Sequence, residues 1–160
     1  MKKLINSKVY LVGAGPGDPE LLTMKAYKLI SRCDAIVYDS LIPKELLSET
    51  SINCRHFFVG KRRSHKILSQ EQINKLLVEL SRDYECIVRL KGGDPFIFGR
   101  GGEEAEYLQT NDVNVEVVPG VTSGIAAPAY FGIPITHRKV GSSTTFIAGH
   151  EKASEGKNRL

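Results

Sequence analysis

CIVRLKGGDPFIFGRGGEE, Cys86 to Glu104, is the stretch on which the fold turns. Its first part, the mostly apolar run Ile87 to Leu90, is short and β-branched and reads as a buried strand. Behind it, Gly92 and Gly93 let the backbone come close to a ligand, Asp94 offers a carboxylate and Pro95 fixes a turn. Arg100 and Glu103 then sit three apart at the start of a helix expected over Gly102 to Gln109. A strand that ends in such a loop and passes into a helix is the building unit of an open α/β sheet, whose ligands bind beyond the strand C-termini.

The same unit recurs on both sides. Upstream, Val9 to Val12 is a short apolar strand ended by GAGPGD, Gly13 to Asp18. Asp18 has the makings of an N-cap with Pro19 at the first helical position, leading a helix whose Leu22, Ala26, Leu29 and Ile30 share a face. Strands follow at Ala35 to Tyr38, ending at Asp39, and at His56 to Val59, ending at Gly60-Lys61. Ser69 to Gln72 has the pattern of a capping box before Ile73, Leu76, Leu77 and Leu80, which recur at helical spacing. Downstream, Val113 to Val118 is a strand stopped by Pro119-Gly120, Thr122 to Phe131 an Ala-rich helix, and Thr144 to Ala148 a final strand. Strands alternating with helices predict an α/β fold with an open, mainly parallel sheet, right-handed crossovers and flanking helices.

Composition narrows the class. A chain of 160 residues with 41% hydrophobic and 25% charged residues has the makeup of a soluble domain with one core. No run approaches the ~20 apolar residues of a membrane span, and the start of the chain lacks a signal-peptide core, so a cytoplasmic protein is expected. Cys33, Cys54 and Cys86 have no close-spaced pair and suggest neither a disulfide framework nor a zinc site. His65, His137 and His150 are too scattered for metal ligands, so no metal is expected. The aromatic residues do not interleave with basic ones, which speaks against a nucleic-acid partner. A basic group, Lys61, Arg62, Arg63, His65 and Lys66, with Arg138 and Lys139 as a smaller one, suits an anionic partner, a solvated loop being the ordinary alternative.

GAGPGD invites comparison with a dinucleotide fingerprint, but Gly13, Gly15 and Gly17 with Pro16 between the last two do not give G-x-G-x-x-G. A bare tight turn remains the competing reading. More informative is convergence: in a parallel sheet Pro16, Asp39, Lys61, Asp94 and Thr122 all lie just past strand C-termini, on one edge.

VGAGPGDPELLT (Val12 to Thr23), VYDSLI (Val37 to Ile42), VGKR (Val59 to Arg62), RLKGGDPFIFGRGGEE (Arg89 to Glu104), VVPGVTSGIAAPAYFGIPITHR (Val117 to Arg138) and the AGHE at Ala148 together resemble the tetrapyrrole methylase family, collinearly from about Val9 to Glu151. The resemblance implies two α/β domains with S-adenosylmethionine (SAM) in the cleft between them, residues 1–148 forming the first and 149–160 leading toward the second. It implies SAM contacts from Pro16, Gly92, Gly93, Asp94, Ile97, Thr122 and Ser123. It makes Asp39 a proton acceptor and Lys61 a proton donor, and sets Arg100 and Glu103 near the tetrapyrrole. The activity it implies is two successive C-methylations of uroporphyrinogen III, giving precorrin-2 at the entry to siroheme and cobalamin synthesis, by a homodimer. The substrate's eight carboxylates would explain the Lys61 to Lys66 cluster and Arg138. Competing expectations are an inactive first-domain fragment, a methylase of a later precorrin, and a dinucleotide-binding oxidoreductase module, the last set back by its glycine spacing.

Overall fold

The computed structural model describes residues 6–60 and 68–148. Among them, β1 (Lys8–Gly13), β2 (Ala35–Tyr38), β3 (Arg55–Phe58), β4 (Cys86–Lys91) and β5 (Asn114–Val118) form one sheet in the order β3-β2-β4-β1-β5, every pairing parallel. The expected open α/β sheet is therefore present. Its residue alternation sorts the core into two layers. Val12, Ile36, Val88, Leu90 and Val118 pack with Ala26, Leu29 and Ile30 of α1 (Met24–Ile30) and Leu46 of α2 (Lys44–Ser48). Val9, Leu11, Ala35, Val37 and Ile87 pack with Ile73, Leu77 and Leu80 of α3 (Gln70–Leu80) and Leu108 of α4 (Gly101–Thr110).

This two-sidedness follows from the chain's path. After β1 and β2 the chain steps toward the β3 edge, and after β3 and β4 it steps toward the β5 edge, so right-handed crossovers lay the two helix pairs on opposite faces. The direction reverses between the neighbours β1 and β4. The chains beyond their C-terminal loops diverge there to opposite faces of the sheet, the usual ligand position in such sheets.

Local chemistry explains where the elements begin. Ser69 closes the expected capping box: its Oγ accepts from the Gln72 N–H at 3.2 Å while Gln72 Oε1 accepts from the Ser69 N–H at 2.8 Å. Asp18 does not lead the long helix expected of it. It caps a three-residue 3-10 turn, Pro19–Leu21, after which Leu22 is extended and Thr23 caps α1 through Ala26 N–H at 3.2 Å. Two hydroxyl or carboxylate caps five residues apart split one apolar pattern into two pieces. Helix α5 (Ser123–Tyr130) falls where expected, whereas α2, five residues long, had no legible period.

The strand expected at Thr144–Ala148 does not form. The run has strand composition but no ladder partner among the described residues; Thr144 Oγ1 donates to the Ile135 carbonyl at 2.7 Å and Phe146 covers Gly124 instead. The cysteines also meet in a way their spacing hid. Cys33 Sγ and Cys54 Sγ lie 3.5 Å apart as free thiols where the chain enters β2 and β3, and burial pushes both thiol pKa values up.

Candidate active site

At this point of divergence the loops after β1 and β4 are stitched together. Gly93 N–H donates to the Gly15 carbonyl at 2.7 Å and Gly15 N–H to the Gly93 carbonyl at 3.2 Å. Both residues have left-handed φ values, 75° and 64°, which glycine alone adopts at no steric cost. The loop after β5 presses into the same place: a Cβ on Gly13 would stand 2.6 Å from Gly120 Cα, and one on Gly120 would collide with the Gly93 carbonyl. Asp94 ties this third loop down, Oδ2 accepting from Gly120 N–H at 3.0 Å and Oδ1 from Phe96 N–H at 2.8 Å. Thr122 is next, its Cα 3.8 Å from where a Gly93 side chain would begin, and its Oγ1 caps α5 through Gly124 N–H. Ser123 opens that helix and is exposed, and Ile97 lies exposed in the β4 loop. Gly93, Asp94 and Thr122 thus share one rim, with Pro16 and Gly92 next to Gly15 and Gly93 in its loops.

Asp39 joins them from β2. Its Oδ1 accepts from Leu41 N–H at 3.0 Å, and Leu41 in turn covers Gly92, where a Cβ would stand 3.3 Å from Leu41 Cβ. Gly60, beyond β3, packs against Asp39 and Ser40 so closely that its own Cβ would stand 2.7 Å from Ser40 N. Lys61, the expected proton donor, lies outside the described residues, as do Arg62 to Lys66.

Arg100 and Glu103 are placed together, but with each other. The guanidinium and carboxylate form a fork, Nε to Oε1 at 2.8 Å and Nη2 to Oε2 at 2.6 Å, with both side chains about half exposed. They line an open hollow of about 620 Å³ with Phe96, Phe98 and Ala148. Phe98 and Arg100 have φ values of 52° and 57°, a conformation that costs non-glycine residues about 1 to 3 kcal/mol each and tends to be kept where a site demands it.

One group of charges under the rim was not expected. Arg89 and Lys91 point to the α3–α4 side of β4, where Glu104 of α4 is fully buried. Arg89 Nε donates to Glu104 Oε1 at 3.2 Å, Gln70 Nε2 donates to the same oxygen at 3.0 Å, and Lys91 Nζ stands 3.0 Å from Oε2 as an ion pair without hydrogen-bond alignment. Arg89 Nη2 is 3.6 Å from Asp39 Oδ2. Burial, with Arg89 beside it, holds the Lys91 ammonium below the ordinary lysine range, and Glu104 opposes this. The only sequence signal was charge at alternate positions of a buried strand.

Residues 8–160 match the family of Tetrapyrrole (Corrin/Porphyrin) Methylases. The chain belongs to that family. Among the methylases it resembles, uroporphyrinogen-III C-methyltransferase of Bacillus subtilis is 53% identical over 148 residues, 92% of this chain and 58% of that protein. The protein of the same name from Methanocaldococcus jannaschii is 53% identical over 147 residues, 92% and 61%. A structure of uroporphyrin-III C-methyl transferase from Thermus thermophilus complexed with S-adenyl homocysteine is 48% identical with a TM-score of 0.70, over 82% of this chain and 54% of that one. A cobalt precorrin-4 methyltransferase structure is 31% identical with a TM-score of 0.72, over 82% and 53%. This methylase chain therefore spans less than two thirds of the length of the relatives it matches. The family assignment removes the oxidoreductase alternative, whose glycine spacing was already wrong.

Proposed function

We propose that the chain forms the first domain of a SAM-dependent C-methyltransferase that converts uroporphyrinogen III to precorrin-2 by two successive methylations. The observation behind this reading is the shared rim: Gly92, Gly93, Asp94 and Thr122 beside Asp39, where the sheet's connections diverge. The names of the Bacillus and Methanocaldococcus relatives, and the S-adenyl homocysteine complexed in the Thermus structure, support it.

The rim suits SAM. Its glycines keep backbone N–H and C=O groups near the surface, Thr122 adds a hydroxyl, and exposed Ile97 and Leu41 offer apolar surface to an adenosyl group. Pro16, which follows Gly15, and Ser123, which follows Thr122, complete the contacts in this reading. When bound, SAM supplies a methyl group already activated on a sulfonium. The protein's part is then alignment and exclusion of water, for which proximity supplies roughly 7 to 11 kcal/mol. A pyrrole carbon is a better nucleophile as its ring nitrogen loses a proton, and Asp39 Oδ2, at the rim, takes that proton. Lys61 returns a proton in this reading, and Arg100 orients a substrate carboxylate by exchanging its fork with Glu103 for one with the substrate. No step calls for a metal. The remaining SAM contacts belong to a second domain beyond residue 148, and the enzyme is a cytoplasmic homodimer. Among the described residues no helix is long and apolar enough to cross a membrane. Sedimentation of the full-length protein as a monomer would remove the dimer.

The test is methyl transfer from labelled SAM in the full-length protein. Asp39→Ala is expected to lower kcat by about 10² to 10⁴ while calorimetric affinity for S-adenosylhomocysteine stays within about twofold, since Asp39 only borders that pocket. Wild-type turnover removes Asp39 from the reaction. A methylase of a later tetrapyrrole intermediate is the second reading, favoured by the similarity to cobalt precorrin-4 methyltransferase. Turnover of a later precorrin but not of uroporphyrinogen III would select it.

A further inference from the structure

We propose that Arg89 is a positioning residue for the methyl-transfer reaction: anchored on buried Glu104, its guanidinium fixes where the Asp39 carboxylate stands at the rim. This rests on reading Asp39 as the proton acceptor.

Arg89 lies in β4 opposite Val37 of β2, two residues before Asp39 in that strand's path. Its side chain, 4% exposed, runs along the sheet toward the rim, and its nitrogens are held by fixed groups. Nη1 donates to the carbonyls of Leu90 at 3.1 Å and Val37 at 3.4 Å, and Nε donates to Glu104 Oε1 at 3.2 Å. Glu104 is held in turn by Gln70 at 3.0 Å and by Lys91. Only Nη2 is left to face outward, and what it faces is Asp39 Oδ2 at 3.6 Å. A guanidinium held through two of its nitrogens by three hydrogen bonds cannot follow a moving partner, so the partner conforms to it.

Charge balance points the same way. Arg89, Lys91 and Glu104 are two cations and one anion, all buried, and an unbalanced buried charge is strongly unfavourable. Asp39 is the fourth charge, and the only member that reaches solvent, at 26% exposure. Its two oxygens have different surroundings: Oδ1 is taken by Leu41 N–H, while Oδ2 is held by charge at a distance too long for a hydrogen bond. That leaves Oδ2 oriented and able to accept a proton. The remaining neighbours on this face of the sheet, Leu11, Val37 and Ile87, are apolar, so packing alone did not require an arginine here.

Arg89→Lys keeps the buried charge but loses the fork, and is tested in the full-length enzyme with steady-state methyl transfer to uroporphyrinogen III. Expected are a kcat lower by about 10²-fold, the loss associated with about 1 Å of misplacement, and an unchanged KM and S-adenosylhomocysteine affinity, measured below the melting temperature, which falls with the lost hydrogen bonds to Leu90, Val37 and Glu104. In an Asp39→Asn background the same change is expected to cost nothing further, because there is no carboxylate left to place. A wild-type rate for Arg89→Lys overturns the proposal, as does an equal loss in both backgrounds. If Arg89→Lys does not fold, Arg89→Gln is measured in its place, and failure of both to fold assigns Arg89 to the core alone and also overturns it. A slow Asp39→Asn with additive Arg89 effects sinks only the positioning role; wild-type turnover by Asp39→Asn sinks the acceptor reading and this inference together.

Discussion

Asp94 spends both carboxylate oxygens on backbone N–H groups, one in its own loop and one in the loop after β5. Any contact it makes with SAM comes in addition to that bracing. Asp94→Asn keeps one acceptor and loses the charge, and is expected to cost about 1.5 to 3 kcal/mol in urea unfolding together with S-adenosylhomocysteine affinity; unchanged values for both would show that the Gly120 contact is idle. Lys91 makes a pH prediction. Its folded pKa is below the ordinary 10.5, so between the two values the unfolded chain binds more protons and stability rises with pH. Lys91→Met should lose that alkaline rise, which urea titrations from neutral pH to pH 10.5 would reveal. That Asp39, Asp94 and Thr122 lie just past strand ends on one edge was legible because a strand's end is visible locally. The Arg89–Glu104 pair was not, since fifteen residues of separation and a crossover lie between its members and no periodicity joins them.

Helix α3 was readable because three independent signals agree: a capping box, a helical period and sufficient length. Ser69→Ala is expected to cost about 1 kcal/mol and Leu77→Ala, at a fully buried position, about 2 to 5 kcal/mol, both by urea denaturation at fixed m-value. A cost for Ser69→Ala near zero would mean that the box is frayed in solution. The misread elements failed for physical reasons. Thr144 to Ala148 has the residues of a strand, but a strand exists only where another lends it hydrogen bonds. The helix expected from Asp18 lost its first turn to Thr23, a second cap inside the same apolar pattern. α2 spans little more than one turn, too short to display a period.

At the scale of the molecule, alternation of strands and helices established a parallel sheet but not its order. That β4 sits between β2 and β1 depends on pairings between residues 50 and more apart, such as Val37 with Arg89 and Val12 with Leu90. The whole of 131–148 is exposed, with Phe131, Val140 and Ile147 each more than four-fifths accessible, a larger apolar display than most single domains leave to water. Saturating the full-length protein with S-adenosylhomocysteine at 100 times its Kd is expected to add about 2.7 kcal/mol to unfolding; no rise in melting temperature would count against a site in the native state. The reversal of chain direction between β1 and β4 has a dynamic corollary. The loop after β1 leads into the α1–α2 layer and the loop after β4 into the α3–α4 layer, so a molecule wedged at their junction grips both at once. Amide hydrogens on the two sides of the sheet should then slow together when it binds, as though a clasp had been closed over two leaves.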